Sequence, residues 1–241
     1  MRDLYITCCF LITTAFINAQ ITLTNTTSVP TVGSTFTYHN VTAIPFEVDV
    51  SLTGANQTWD LSSLNADGGD SIISWVDVSS TIDAVNFPNA TLALQNNLDS
   101  SVSYMSSSAT DFSFEGFYFE NEFRTTFSDK RELLKFPITY NDTFNETFSS
   151  SSEYFTDNTL GSASGTIEII ADGYGNLILP PFTTINDVLK VKVTETYTNQ
   201  VIDGVSLPVV TIISNYWFNA YTKLFIAVIN EQIIDGDSEF S

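Results

Sequence analysis

Apolar and polar residues alternate along much of this chain with a period of two. Across residues 189–197 the apolar Leu189, Val191, Val193 and Tyr197 interleave with Lys190, Lys192, Thr194 and Thr196. Such alternation sets one face of an antiparallel strand on a core and the other in water. Residues 144–148 and 166–170 alternate in the same way, and 209–213 and 224–229 are apolar runs of strand length. Phe112 and Phe114 share one parity and Phe117 and Phe119 the other, with Gly116 between them. This predicts a β-bulge at Gly116 that returns all four rings to one core-facing side.

Turn chemistry punctuates the runs at Asp67-Gly68-Gly69-Asp70, Asp172-Gly173-Tyr174-Gly175-Asn176, Pro180-Pro181 and Asp203-Gly204, the last inside a tight hairpin over 201–207. Residues 149–152 are four serines and read as a loop. Two short helices are expected, one over 59–64 with Asp60 as N-cap and one within 87–97. The wealth of Thr, Ser, Asn, Phe, Val and Ile favours strands. The fold class is therefore all-β. A single large antiparallel domain over 20–241 is expected, either a sandwich or a curved open-barrel sheet, with at most short helices and a polar tail from about 235.

The first residues change the picture. Met1-Arg2-Asp3 precedes an apolar block over 4–17 and a polar exit, Asn18-Ala19-Gln20. The block has the length of a signal-peptide core and is too short for a membrane span. Residues 1–19 are read as a signal peptide, which makes the protein exported: extracellular, on the cell surface or periplasmic. Its removal takes Cys8 and Cys9 and leaves no thiol for a disulfide, a metal or a nucleophile. No later run is long enough for a transmembrane helix.

The formal net charge is −20, with 8 Lys and Arg against 28 Asp and Glu. That excludes nucleic acid and an anionic membrane as partners, because both demand a cationic surface. Arg124, Lys130, Arg131 and Lys135 lie close together in sequence and are read as a solvated hairpin tip. The acids serve solubility or cation binding.

Several phrases are distinctive as a set: residues 54–64 (Gly-Ala-Asn-Gln-Thr-Trp-Asp-Leu-Ser-Ser-Leu), 136–144 (Phe-Pro-Ile-Thr-Tyr-Asn-Asp-Thr-Phe) and 171–180 (Ala-Asp-Gly-Tyr-Gly-Asn-Leu-Ile-Leu-Pro). With the Asn-Ala-Gln exit, they resemble uncharacterised secreted β-rich proteins of Bacteroidota, of the flavobacterial type. Those often end in a sorting domain for type IX secretion, and the polar residues after Ile234 are not expected to form one. The resemblance implies export and a β fold but transfers no activity. Residues 175–192, followed by Tyr216-Trp217-Phe218, are also similar to curved-sheet lipid carriers of the envelope, an analogy of fold.

Candidate chemistry is sparse. His39 is the sole histidine and lies in a strand-like segment, and no Gly-x-Ser-x-Gly elbow exists. Asp111, Glu115, Glu120 and Glu122 cluster near aromatic residues and supply the one open catalytic route, a carboxylate pair acting on glycosides. Calcium is the only metal that suits the composition, with Asp235, Asp237 and Glu239 as candidates and Asp67 to Asp70 as a second group. No cofactor is expected. Trp59, Trp75, Tyr216 and Trp217 are the candidate ligand-binding residues, and aromatic residues in strands are more often core. The expected function is that of an exported non-catalytic binding or adhesion module at or beyond the cell surface. The alternatives are an envelope carrier of an apolar ligand in a curved-sheet cavity and a carboxylate-dependent carbohydrate-active enzyme. Polysaccharide, a surface protein or an apolar ligand are the corresponding partners. A carrier needs a lined apolar cavity, a module only an exposed patch, and an enzyme two acids facing one cleft.

Overall fold

The computed structural model describes residues 21–42, 48–96, 98–234 and 237–240. The proposed signal peptide lies outside them. In chain order the strands are β1 (Thr22–Leu23), β2 (Thr35–His39), β3 (Gly54–Asp60), β4 (Asp70–Val76), β5 (Leu92–Asn96), β6 (Ser101–Ser107), β7 (Asp111–Phe119), β8 (Phe123–Lys135), β9 (Ile138–Thr139), β10 (Thr143–Tyr154), β11 (Leu160–Leu179), β12 (Thr183–Ile202), β13 (Val205–Ser206), β14 (Val210–Asn219), β15 (Phe225–Ile234) and β16 (Asp237–Phe240). Helical turns are short: α1 (Asn25–Ser28) and 3-10 turns at Val78–Ser80 and Ala84–Asn86.

One 14-stranded sheet dominates, in the order β16-β15-β14-β12-β11-β10-β8-β7-β6-β5-β4-β2, with β13 added to β12 and β3 to β11. Every pairing along the path is antiparallel, while β3 runs parallel to β11. The main buried cluster draws on one face of this sheet from end to end: Ile73 and Trp75 of β4, Leu92, Met105, Phe112, Phe148, Ile167, Val191 and Phe218. The sheet therefore curls around its own side chains. Its two ends meet where Tyr38 of β2 packs on Phe225 of β15, with ring centroids 5.2 Å apart. No backbone hydrogen bonds join β2 to β15 in the sheet order, so the barrel is open along a seam. Of the two expected architectures, the curved open sheet is the one adopted.

Residues 21–34 close one end. β1 pairs with β9, and Ile21, Leu23 and Val29 are buried in the inner core. Thr24 caps α1, its hydroxyl accepting from the Thr27 backbone while Thr27 returns the bond.

Two segments cover the outer face. Residues 48–64 lie over β11, β12, β14 and β15, where Trp59, Leu61, Leu177, Val188, Trp217 and Ile229 form a second core. The Lys190 amine, almost fully buried, donates to the Val50 carbonyl at 2.6 Å and contacts Asp172 at 3.3 Å, fastening this segment to the sheet. Residues 77–91 lie over β5 to β7, with Phe87 stacked on Tyr104 at 3.8 Å. Arg124 holds that flap by two bonds to Asp83, at 2.6 and 3.0 Å.

The bulge at Gly116 is present. Register shifts between Phe114 and Gly116 against β8, and between Tyr104 and Met105 on the β6 side. Phe112 and Phe114 enter the inner core, whereas Phe117 and Phe119 continue the same face beyond it and pack on Phe123. Glycine is required because a Cβ at 116 would overlap the Phe87 ring and the Thr125 carbonyl. The Asp203-Gly204 hairpin also forms, with both residues at positive φ as a two-residue turn demands.

Other expectations are corrected. Residues 59–64 form no helix: Trp59 and Asp60 end β3, and the Asp60 carboxylate accepts the Ser62 N–H at 2.9 Å, a local bond that competes with helical pairing. Residues 92–96 of the second expected helix are strand β5. Ser149 to Ser152 lie inside β10, their hydroxyls zipped to Ser128, Thr126 and Thr125 on β8. Asp172 to Asn176 make no turn but run through the 20-residue β11. A Cβ at Gly175 would overlap the Gln57 backbone, so the glycine permits the close approach of β3. The expected polar tail contributes strand β16, paired with β15 through residues 237–240.

Candidate functional site

The curl of the sheet leaves a cavity of about 110 Å³ where the two ends of the barrel meet. Trp75 and Ile73 of β4, Leu94 of β5, Met105 of β6, Phe112 of β7, Leu133 and Leu134 of β8, and Tyr216, Phe218 and Phe225 of β14 and β15 line it, with Ser28 and Leu224 at the N-terminal plug. The plug is fastened there by the Leu224 N–H donating to the Ser28 carbonyl at 2.8 Å. Two buried donors on or beside the wall, Trp75 Nε1 and the Tyr38 hydroxyl, have no hydrogen-bond partner among the described residues. Burial pushes the Tyr38 hydroxyl pKa far up, so it stays protonated.

Beside the cavity lies a charged group inside the barrel. Arg131 sits with its guanidinium 4.8 Å from the centre of the Phe114 ring and its Nε 3.4 Å from Glu195 Oε1. Tyr197 bridges the pair, accepting from Arg131 Nη1 at 3.4 Å and donating to Glu195 Oε2 at 3.2 Å. Burial pushes the Tyr216 hydroxyl up against the pull of Arg131, whose field reaches it. Tyr216 thus belongs to the cavity wall and to this polar cluster.

The four candidate ligand residues separate into two pairs. Trp75 and Tyr216, from opposite ends of the sheet, come together on the cavity. Trp59 and Trp217 meet edge to face, 6.2 Å apart, in the outer core and are fully buried. Of the calcium candidates, Asp235 lies outside the described residues, and Asp237 and Glu239 are described only as backbone of β16. Asp67 accepts the Thr42 N–H and Asp70 pairs with His39, 2.7 Å away. Among the described residues no three His, Cys, Asp or Glu converge to hold a metal ion.

The basic cluster is not a solvated tip. Arg124 binds Asp83 and Glu153, Lys130 binds Asp111, Arg131 faces Glu195, and Lys135 bridges Glu132 and Glu146 at 2.6 and 2.8 Å. Asp111 is accordingly a structural anchor. Burial alone would push its carboxyl up, but Lys130, Ser108 and Thr110 outweigh that and hold it at about 2. Glu120 lies on an open polar groove with Thr81, Gln95 and Asn96, and is the sole acid among the described residues that line it. Sequence reasoning missed Glu132 and Glu146, which meet where β8 and β10 diverge. Burial raises the Glu132 carboxyl, and Lys135 lowers that of Glu146. Opposed shifts of this kind suit acid–base work, yet Lys135 bridges both carboxylates and neither acid lines the interior cavity.

The fold and cavity together define a class: a seamed antiparallel barrel whose described interior is apolar apart from the Arg131–Glu195 pair. No protein-family model matches the chain, and neither a curated protein nor a solved structure is significantly similar to it. No helix among the described residues is long and apolar enough to cross a membrane.

Proposed function

We propose that this is an exported, non-catalytic binding protein that takes a small apolar molecule, or the short apolar end of a larger one, into the seam of its barrel. The cavity between Trp75, Phe112 and Phe225 is the observation that carries this reading. Its walls are almost wholly hydrocarbon, and an apolar void near this size stays dry and accepts benzene-like guests. At about 110 Å³ it holds one ring or a few methylenes, well below the several hundred Å³ that a whole lipid needs. The ligand class is therefore small, and the envelope-carrier alternative narrows to cargo of that size.

Toluene titrated into the purified protein is expected to raise its melting temperature, with a dissociation constant on the order of 0.1–1 mM. Leu94→Phe, which fills the cavity from β5, is expected to abolish the shift while preserving the fold. Unchanged melting of the parent protein at saturating toluene, or an equal shift in the variant, would overturn the reading.

The apolar block over 4–17 and the Ala19-Gln20 exit support export. N-terminal sequencing of protein recovered from outside the cytoplasm is expected to begin at Gln20, and a product beginning at Met1 contradicts export by this route.

A further inference from the structure

The cavity explains an apolar guest but not the charged side chain next to it. A guanidinium carries five N–H donors. Among the described residues, only Nη1 of Arg131 has a hydrogen-bond partner, the long 3.4 Å contact to Tyr197. Nε is buried and unpartnered, since Glu195 Oε1 at 3.4 Å lies outside hydrogen-bond geometry. The Arg131 side chain is 24% exposed, so solvent serves its Nη groups, but the buried Nε is left without an acceptor, which is unfavourable. A well-made ion pair would need shorter contacts than these.

The position of Arg131 links it to the cavity. It precedes Leu133 and Leu134 of the cavity wall on β8, rests on Phe114 beside the wall residue Phe112, and acts on Tyr216, itself part of the wall. Trp75 Nε1 adds a second buried donor with no partner on the cavity wall. The described interior thus offers two spare buried donors, Arg131 Nε and Trp75 Nε1, at the edge of a hydrocarbon pocket. Its acceptor, Glu195, is already occupied by Tyr197.

We propose that Arg131 is the recognition group for the polar end of the ligand, and that the ligand is a small apolar body bearing a carbonyl oxygen. This rests on the cavity reading above and narrows it. A neutral acceptor suits the site better than a carboxylate, because Glu195 already balances the guanidinium and would repel a second anion. A neutral carbonyl fills the unused donors without adding charge.

Toluene, acetophenone and benzoate present the same ring with no acceptor, a carbonyl and a carboxylate. By isothermal titration with the whole protein, acetophenone is expected to bind at least about tenfold tighter than toluene, the gain from a hydrogen bond to a charged group, and tighter than benzoate. Arg131→Met is expected to erase the difference between acetophenone and toluene while keeping toluene. Because that variant strands Glu195, the pair Arg131→Met with Glu195→Leu provides a folded control with the same expected outcome. In Glu195→Gln, benzoate is expected to gain on acetophenone. Equal binding of toluene and acetophenone by the parent protein, or a preference that survives loss of Arg131, sinks the proposal and leaves the cavity reading intact. Failure of all three compounds to bind sinks both.

Discussion

Trp59→Ala is expected to cost about 3–5 kcal/mol of folding stability, the loss typical of a fully buried Trp or Phe cut to Ala. Trp59 comes from the last turn of β3, a strand that reaches the sheet only as the parallel partner of β11. Its ring is wholly buried and meets Trp217 edge to face. Its Nε1 donates to the Leu52 carbonyl at 3.1 Å, so the same side chain organises the segment that Lys190 fastens. Truncation removes the ring from the outer core and leaves the Leu52 carbonyl with only the long 3.4 Å bond from the Lys190 amine. Urea unfolding followed by circular dichroism measures the loss. A change under about 1 kcal/mol would mean that residues 48–64 do not pack on the sheet as described.

Asp111→Asn is expected to cost about 2 kcal/mol at neutral pH, and the cost itself is expected to depend on pH. The carboxyl titrates at about 2 in the folded protein against 3.8 for its ordinary value. Each unit is worth about 1.4 kcal/mol. A folded value below the unfolded one stabilises the protein above pH 3.8 and ceases to do so as pH falls through the folded value. The gap between parent and variant should therefore be full at pH 6, narrow below pH 4 and close near pH 2. Lys130, 2.8 Å away, gains solvent when unpaired because its side chain is 38% exposed, which caps the loss. Thermal melts of both proteins across pH 2–7 decide the matter, and a gap that stays constant with pH would show that the Lys130 contact is not formed.

Fold class was legible because alternation is a local property. Residues 189–197 name their own inward face, and the parity switch across Gly116 announces its bulge without reference to any other strand. The Asp172 to Asn176 stretch was misread because glycine serves a turn and a close approach equally well. What demands Gly175 is the Gln57 backbone, more than a hundred residues earlier. The serines of β10 read as loop because their partners are hydroxyls on β8. Arg131 was placed in solvent since charged residues usually belong there, but shifts of register between β7 and β8 turn it inward, opposite Phe114. The meeting of Trp75 with Tyr216 was invisible for a related reason: they lie near the two ends of the sheet, and only curvature joins them.

The order of strands also shapes how the molecule assembles. From β4 to β16 the path visits strands in sequence order, passing over only β9 and β13, so nearly every pairing is between near neighbours in the chain. Such contacts form early because little loop-closure entropy opposes them. Among the described residues, strand pairings between distant parts of the chain are few, β3 with β11 and β1 with β9, and the remaining distant contacts are made by side chains and loops, such as Trp59 on Trp217 and Tyr38 on Phe225. The hairpins can zip one after another into a ribbon long before these form. The interior therefore becomes enclosed at the final step of folding, and a nascent chain held open at that step would present its aromatic face to whatever lies nearby.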